Sequence, residues 1–376
     1  MKINLNTRQK VYRRNTGKLN LLHLDGWLLF GITLLLLTSV LIVNSASNGS
    51  EPILKSHLIR IGIALTLLIF FAQIPPYLVK VYGPWIFILS IILLIFVLLF
   101  GESSKGATRW LDIGITRIQP SEIMKLVLPI TIAWLFAHNT LPPPRMKILA
   151  GIFIVLFTAG LIAAQPDLGT SILIAMSGFF VIFFAGLSWK WILSAIALIS
   201  GSIPILWHFY MHSYQKARVL TFLDPESDPL GKGYNIIQSK IAIGSGGIDG
   251  KGYMGSTQAH LDFLPESTTD FIFSVFAEEF GLIGIFFLLT IYLFIIARGL
   301  YIASKAQDNF SRLLAASLTM TLFTYVLINI GMVSGLFPVV GLPLPLISYG
   351  GTSMITIMIS FGILMSIHTH KGLLKM

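Results

Sequence analysis

The chain has 376 residues, of which 55% are hydrophobic, only 11% are charged and none is cysteine. A soluble domain carries roughly 25% charged residues, so a water-soluble fold is excluded, and the lack of cysteine excludes disulfides, thiolate metal sites and thiol nucleophiles. The net charge of +10 sits mostly in short hydrophilic segments between apolar runs, and no Lys/Arg stripe interleaved with aromatics points to nucleic acid.

A bilayer core of ~30 Å takes about 20 apolar residues at ~1.5 Å each, and the chain supplies that length repeatedly. The basic stretch MKINLNTRQKVYRRNTGKLN precedes an apolar run over 26–43. Ser45, Ala46 and Ser47 suit a signal-peptidase site, but the run is too long for a signal-peptide core and further spans follow, so an uncleaved first helix is expected. Runs bounded by polar or Gly/Pro residues predict spans at 26–44, 56–73, 83–100, 122–138, 147–164, 168–186, 189–208, 271–297, 313–334 and 344–367. The expected fold is an all-α polytopic membrane protein of about ten helices, a single membrane domain over 1–376 with a basic cytoplasmic tail over 1–25. A cytoplasmic N-terminus puts Lys80, Arg145, Lys147, Lys190, Arg298, Lys305 and Arg312 on the same side as the tail, the usual inside bias, with both termini cytoplasmic. Two extracytoplasmic segments are then long, 101–121 and 209–270, and both are too rich in aromatic and apolar residues for simple disorder. LPPPRMK at 141–147 reads as a rigid turn.

Polar residues at membrane depth carry the chemistry. Asp270, in FLPESTTDFIF, stands at the extracytoplasmic mouth of the eighth span. Ser267-x-x-Asp270 has the spacing of a capping box, which predicts a helix cap. The same carboxylate suits a general base at the water–lipid boundary, where a lipid-tailed substrate would present a hydroxyl. Glu278 and Glu279 lie about two turns deeper and point roughly 100° apart, so one is expected to face the bundle interior and the other a helix interface. Glu122 and Lys125, in QPSEIMK, share one helix face at i, i+3 and can pair. Lys105 and Arg109, in GESSKGATRW, fall on the same membrane side as Asp270, and such a cationic cluster suits a pyrophosphate leaving group.

The remaining signals are weaker. Glycines 244, 246, 247, 250 and 252 would let backbone amides approach an anion but fit no P-loop. Asp224, Glu226 and Asp228 lack calcium-loop spacing and read as a solvated turn. Residues 234–243 predict a short amphipathic helix on the membrane surface. Asp167 reads as a helix cap. GMVSGLFPVVGLPLPLISYGG predicts a broken or re-entrant segment lining a cavity, and His368 and His370 have no third ligand nearby for a metal.

Together GATRWLDIGITRIQPSEIMK, AAQPDLGTS, LDPESDPLGKGYNIIQSKIAIGSGG, FLPESTTDFIF and PLPLISYGG closely resemble motifs of the SEDS family (shape, elongation, division and sporulation), from about residue 25 to His370. FPVVGLPLPLISYGG resembles its rod-shape branch. The resemblance implies a bacterial inner-membrane glycosyltransferase that polymerises lipid II with inversion into β-1,4 glycan strands. It further implies a class B penicillin-binding protein, a transpeptidase, and other elongation-complex membrane proteins as partners. Asp270 matches the family's essential aspartate, Glu122 and Lys125 its charged pair on the fourth helix, and Lys105 and Arg109 basic positions around the cavity. No cofactor is implied, although the resemblance leaves room for a divalent cation. The alternatives are a lipid II flippase, with the polar groups lining a path, and a cell-wall assembly scaffold.

Overall fold

A computed structural model describes residues 22–104, 107–112, 117–137, 139–211, 213–227 and 233–370. In chain order the helices are α1 (Gly26–Ala46), α2 (Glu51–Gln73), α3 (Pro76–Phe100), α4 (Pro120–Phe136), α5 (Arg145–Ala163), α6 (Leu168–Phe184), α7 (Trp189–Ile205), α8 (Ser213–Leu223), α9 (Tyr234–Ser245), α10 (Thr257–His260), α11 (Ile272–Ser304), α12 (Asn309–Val333) and α13 (Thr352–Thr369). Seven of them, α1, α2, α3, α5, α11, α12 and α13, are long and apolar enough to cross a membrane. The three other predicted spans coincide with α4, α6 and α7, of 17 residues each.

Helix starts follow the expected local chemistry. Proline opens α2, α3 and α4, where its missing N–H costs nothing. Asp25, Asp167 and Asp308 precede α1, α6 and α12, and their carboxylates accept from the amides of Leu28 (2.8 Å), Thr170 (3.2 Å) and Ser311 (3.5 Å). Asp167 is thus the cap the sequence predicts. Where the first and last described residues meet, Arg298 donates to Asp25 from Nε (3.1 Å) and Nη2 (2.6 Å), with His368 Nε2 3.3 Å away. The His370 ring stacks on His23 at 3.8 Å. Burial raises the Asp25 pKa, but the Arg298 and Leu28 hydrogen bonds and the charges of Arg298 and His368 outweigh it and hold the carboxyl below its usual range.

Four features depart from the sequence expectations. The segment 101–121 holds a small antiparallel sheet, β1 (Glu102–Ser104), β2 (Ala107–Asp112) and β3 (Arg117–Ile118), in the order β1-β2-β3. The α9 helix buries Ile236, Ser239 and Ala242 and is tied to α12 by Ser239 donating to the Val333 carbonyl (2.7 Å). One side of it is therefore packed on protein, while Ile241 stays exposed. The eighth span is broken at Gly281 (φ 59°, ψ −160°), and the last one begins only at Thr352 instead of 344, because the broken segment that the Gly/Pro density predicts, non-helical over 337–351, runs on into it.

Residues 246–252 close the break at Gly281. Lys251 and Gly252 donate to the Glu278 (3.0 Å) and Glu279 (2.9 Å) carbonyls, and Leu282 and Ile283 donate to the Gly247 (3.0 Å) and Ile248 (3.2 Å) carbonyls. The glycines expected to cradle an anion instead admit this helix: Gly250 has φ +79°, and a Cβ there would collide with the Glu279 carbonyl.

Gly250→Ala is expected to lose about 2 kcal/mol or more, from left-handed strain plus the collision, read as a lower unfolding midpoint in detergent. Asp25→Asn is expected to lose about 2 kcal/mol at pH 7. Because the folded pKa is depressed, that stabilisation is present above the unfolded value of about 3.9 and is lost as pH falls through the folded one. The stability difference between wild type and Asp25→Asn should therefore begin to shrink as pH falls below about 4 and vanish only below the depressed folded value.

Candidate functional site

The turn that carries Asp270 and the non-helical run before α13 hold each other in place. The Tyr349 amide donates to the Thr268 carbonyl (2.9 Å), and Ser348 Oγ donates to the Thr269 carbonyl (2.6 Å) while accepting from the Leu344 amide (2.7 Å). Asn329, fully buried in α12, donates from Nδ2 to the carbonyls of both Asp270 (3.0 Å) and Leu342 (2.6 Å). The half-buried Asp270 carboxylate faces Gly341, where an added Cβ would stand 3.4 Å from Oδ2. The capping box expected of Ser267 does not form. The N-cap of α11 is Phe271, without a side-chain cap bond, and Ser267 is turned away, donating to the Ala46 carbonyl at 3.5 Å.

Glu278 and Glu279 answer to the loop over 245–260. Glu278 is fully buried and accepts from Lys251 Nζ (2.5 Å), Ser256 Oγ (2.6 Å), Thr257 Oγ1 (2.8 Å) and the Thr257 amide (3.2 Å). Glu279, also fully buried, accepts from Ser45 of α1. Neighbouring carboxylates pointing apart thus clasp two different segments onto α11, and Glu278 meets the loop instead of a helix interface.

Glu122 and Lys125 pair as predicted, with Nζ and Oε1 2.6 Å apart and both side chains buried. Lys125 also donates to the Tyr325 hydroxyl of α12 (2.9 Å), and Thr356 of α13 donates to Glu122 Oε2 (3.0 Å). The pair therefore welds three helices. Glu122 also lines a cavity of about 650 Å³ between α2, α3, α4 and α13, whose wall is otherwise apolar apart from groups such as Gln119, Thr352 and Thr356. Lys105 lies outside the described residues, and of Arg109 only the backbone, in β2, is described. Among the described residues no group of three or more His, Asp or Glu is placed to hold a metal ion.

A family model described as the cell cycle protein FtsW/RodA/SpoVE matches residues 20–373. The chain belongs to this family. Among FtsW/RodA/SpoVE relatives, the peptidoglycan glycosyltransferase MrdB of Escherichia coli (strain K12) is 51% identical over 353 residues, 94% of this chain and 95% of that protein. The probable peptidoglycan glycosyltransferase FtsW of a Synechocystis strain is 36% identical, covering 91% and 86%. A chain from a peptidoglycan synthase complex that coordinates polymerization and crosslinking superposes with a TM-score of 0.79 at 30% identity, covering 92% of this chain and 97% of that one. The rod shape determining protein RodA of Thermus thermophilus does so at 0.70 and 25%, covering 92% and 96%.

The sequence reading of this FtsW/RodA/SpoVE chain missed Asn329 and Ser348. Asn329 had a signal, a polar side chain inside an apolar run. Ser348 had none beyond the Gly/Pro density around it.

Glu278→Ala strands Lys251, Ser256 and Thr257. It is expected to lower stability by about 3 kcal/mol in thermal unfolding, and an unchanged midpoint would show that the clasp does not hold the loop.

Proposed function

We propose that this integral membrane protein is a peptidoglycan glycosyltransferase of the bacterial inner membrane. It transfers a glycan chain from its polyprenyl-pyrophosphate anchor to the GlcNAc 4-hydroxyl of lipid II, for cell elongation and rod shape. The observation that carries the reading is the Asp270 turn, fixed by Asn329, Ser348 and Tyr349, on a run that leads directly into the wall of the apolar cavity at Thr352. Identity to curated glycosyltransferases over nearly the whole chain supports it.

In this reading Asp270 is the general base. Its carboxylate takes the proton of the acceptor 4-hydroxyl as that oxygen bonds to the donor anomeric carbon. The bond from that carbon to the pyrophosphate oxygen breaks on the opposite face, and the leaving group takes the electron pair, which inverts an α-linked donor to a β-1,4 product. Pyrophosphate is a good leaving group once its charge is stabilised, so no second, acidic carboxyl is needed. Lys105 and Arg109 supply that stabilisation by charge-assisted hydrogen bonds. Glu122 and Lys125, already neutralised by each other, shape the cavity and tune its field. The cavity's volume and apolar wall suit a polyprenyl tail. A class B penicillin-binding transpeptidase is the expected partner, and the likeness to a chain of a complex that couples polymerization to crosslinking supports it.

Purified protein, with a partner whose transpeptidase site is disabled, should polymerise lipid II, and Asp270→Asn should reduce the rate by a factor of about 10² or more while the protein stays folded. Transbilayer movement of labelled lipid without polymer would replace this reading with a flippase.

A further inference from the structure

One cation inside a span is used by none of these assemblies. Arg60 lies nine residues after Glu51 in α2, roughly 14 Å along the helix at 1.5 Å per residue. It is half-buried, and its guanidinium carbon stands 4.2 Å from the centroid of the Tyr349 ring. Its side chain passes Gly351, where an added Cβ would come 3.7 Å from Cδ and Nε. An arginine at that depth is costly unless it meets an anion or water. Three other charges on the helices are neutralised locally: Lys125 by Glu122, Glu278 by Lys251 and Arg298 by Asp25. Arg60 has no carboxylate within ion-pair distance among the described residues. His57, one turn earlier, is buried against Ser39 (2.8 Å) and brings no negative charge.

The cation is also positioned. Tyr349 presents its ring to the guanidinium and its amide to Thr268, two residues before Asp270. Arg60 is therefore set on the same run that holds the candidate base. The proposed polymerisation engages two lipid pyrophosphates at once. The donor's leaves, while the acceptor's remains attached at the other end of its disaccharide. Lys105 and Arg109 account for one of them.

We propose that Arg60, stacked on Tyr349, binds the pyrophosphate of the acceptor lipid, a site that rests on the polymerase reading. A guanidinium fork matches two phosphate oxygens, and the aromatic face under it limits its rotation. Ile59 and Ile63, exposed on the same helix, give the lipid tail an apolar track beside the headgroup.

The test measures binding and turnover separately, on the full chain in nanodiscs. Undecaprenyl pyrophosphate and undecaprenol are titrated by native mass spectrometry onto wild type, Arg60→Gln and Arg60→Lys. Arg60→Gln should weaken the pyrophosphate about tenfold or more and Arg60→Lys less, with undecaprenol unchanged in all three. Removing a charge from a span eases insertion, and the unfolding midpoint is recorded alongside. With the transpeptidase partner present, the KM for lipid II as acceptor should rise for Arg60→Gln with kcat little altered. The KM for a donor analogue with its 4-hydroxyl blocked should stay the same. Unchanged pyrophosphate binding in Arg60→Gln would overturn the site. A KM effect confined to the blocked donor would overturn the acceptor assignment. If wild type makes no polymer while the binding difference holds, the polymerase reading fails and the anion site stands.

Discussion

A backbone amide or carbonyl left unpaired in hydrocarbon costs several kcal/mol, so every break in a membrane helix must be closed by other parts of the protein. Among the described residues two such breaks stand out, at Gly281 and over 337–351. Four backbone hydrogen bonds from 247–252 and 278–283 close the first, and the Asp270 turn with Asn329 and Ser348 closes the second. Both closures lie on the elements next to Asp270. The rigidity that a general base needs is therefore a consequence of satisfying main-chain polarity at bilayer depth.

The buried charges follow from the same constraint. Glu278 is stable inside the bundle because it collects Lys251, two hydroxyls and an amide. Lys125 is stable because Glu122 and Tyr325 surround it. Each cluster joins segments distant in sequence, so removing one partner both unlinks the segments and leaves a charge in low dielectric. Glu278 and Glu122 hold the architecture around the proposed base, Asp270, which gives so apolar a chain a reason to keep acids within its spans.

Much of the fold is legible in the sequence, because a bilayer imposes one length and one composition on each span. The ten apolar runs fall on ten helices, and the i, i+3 pair of Glu122 and Lys125 forms as its spacing requires. What the sequence hides is partnership. Ser267 and Asp270 have capping-box spacing, but α11 starts later because the turn is bound to 348–349 instead. Glycines 246, 247, 250 and 252 have the composition of an anion cradle, yet they close a helix break that was invisible, because Gly281 interrupts a run whose hydropathy is continuous. The strands in 101–121 are two to six residues long and carry no periodic signal that separates them from a loop.

Buried Lys125 and half-buried Arg60 differ in a way that bears on chemistry. Lys125, a compact ammonium, is enclosed by an acid and a phenol hydroxyl, and its charge is spent inside the protein. Arg60 rests on an aromatic face, which holds a guanidinium without neutralising it. An unspent cation in a span keeps its insertion cost until an anion arrives, so an anionic ligand gains there what the empty protein forgoes. The proposed site thus pairs a carboxylate beside main-chain bonds with a cation held in a form that attracts phosphate, the two groups that the proposed reaction between two lipid pyrophosphates calls for.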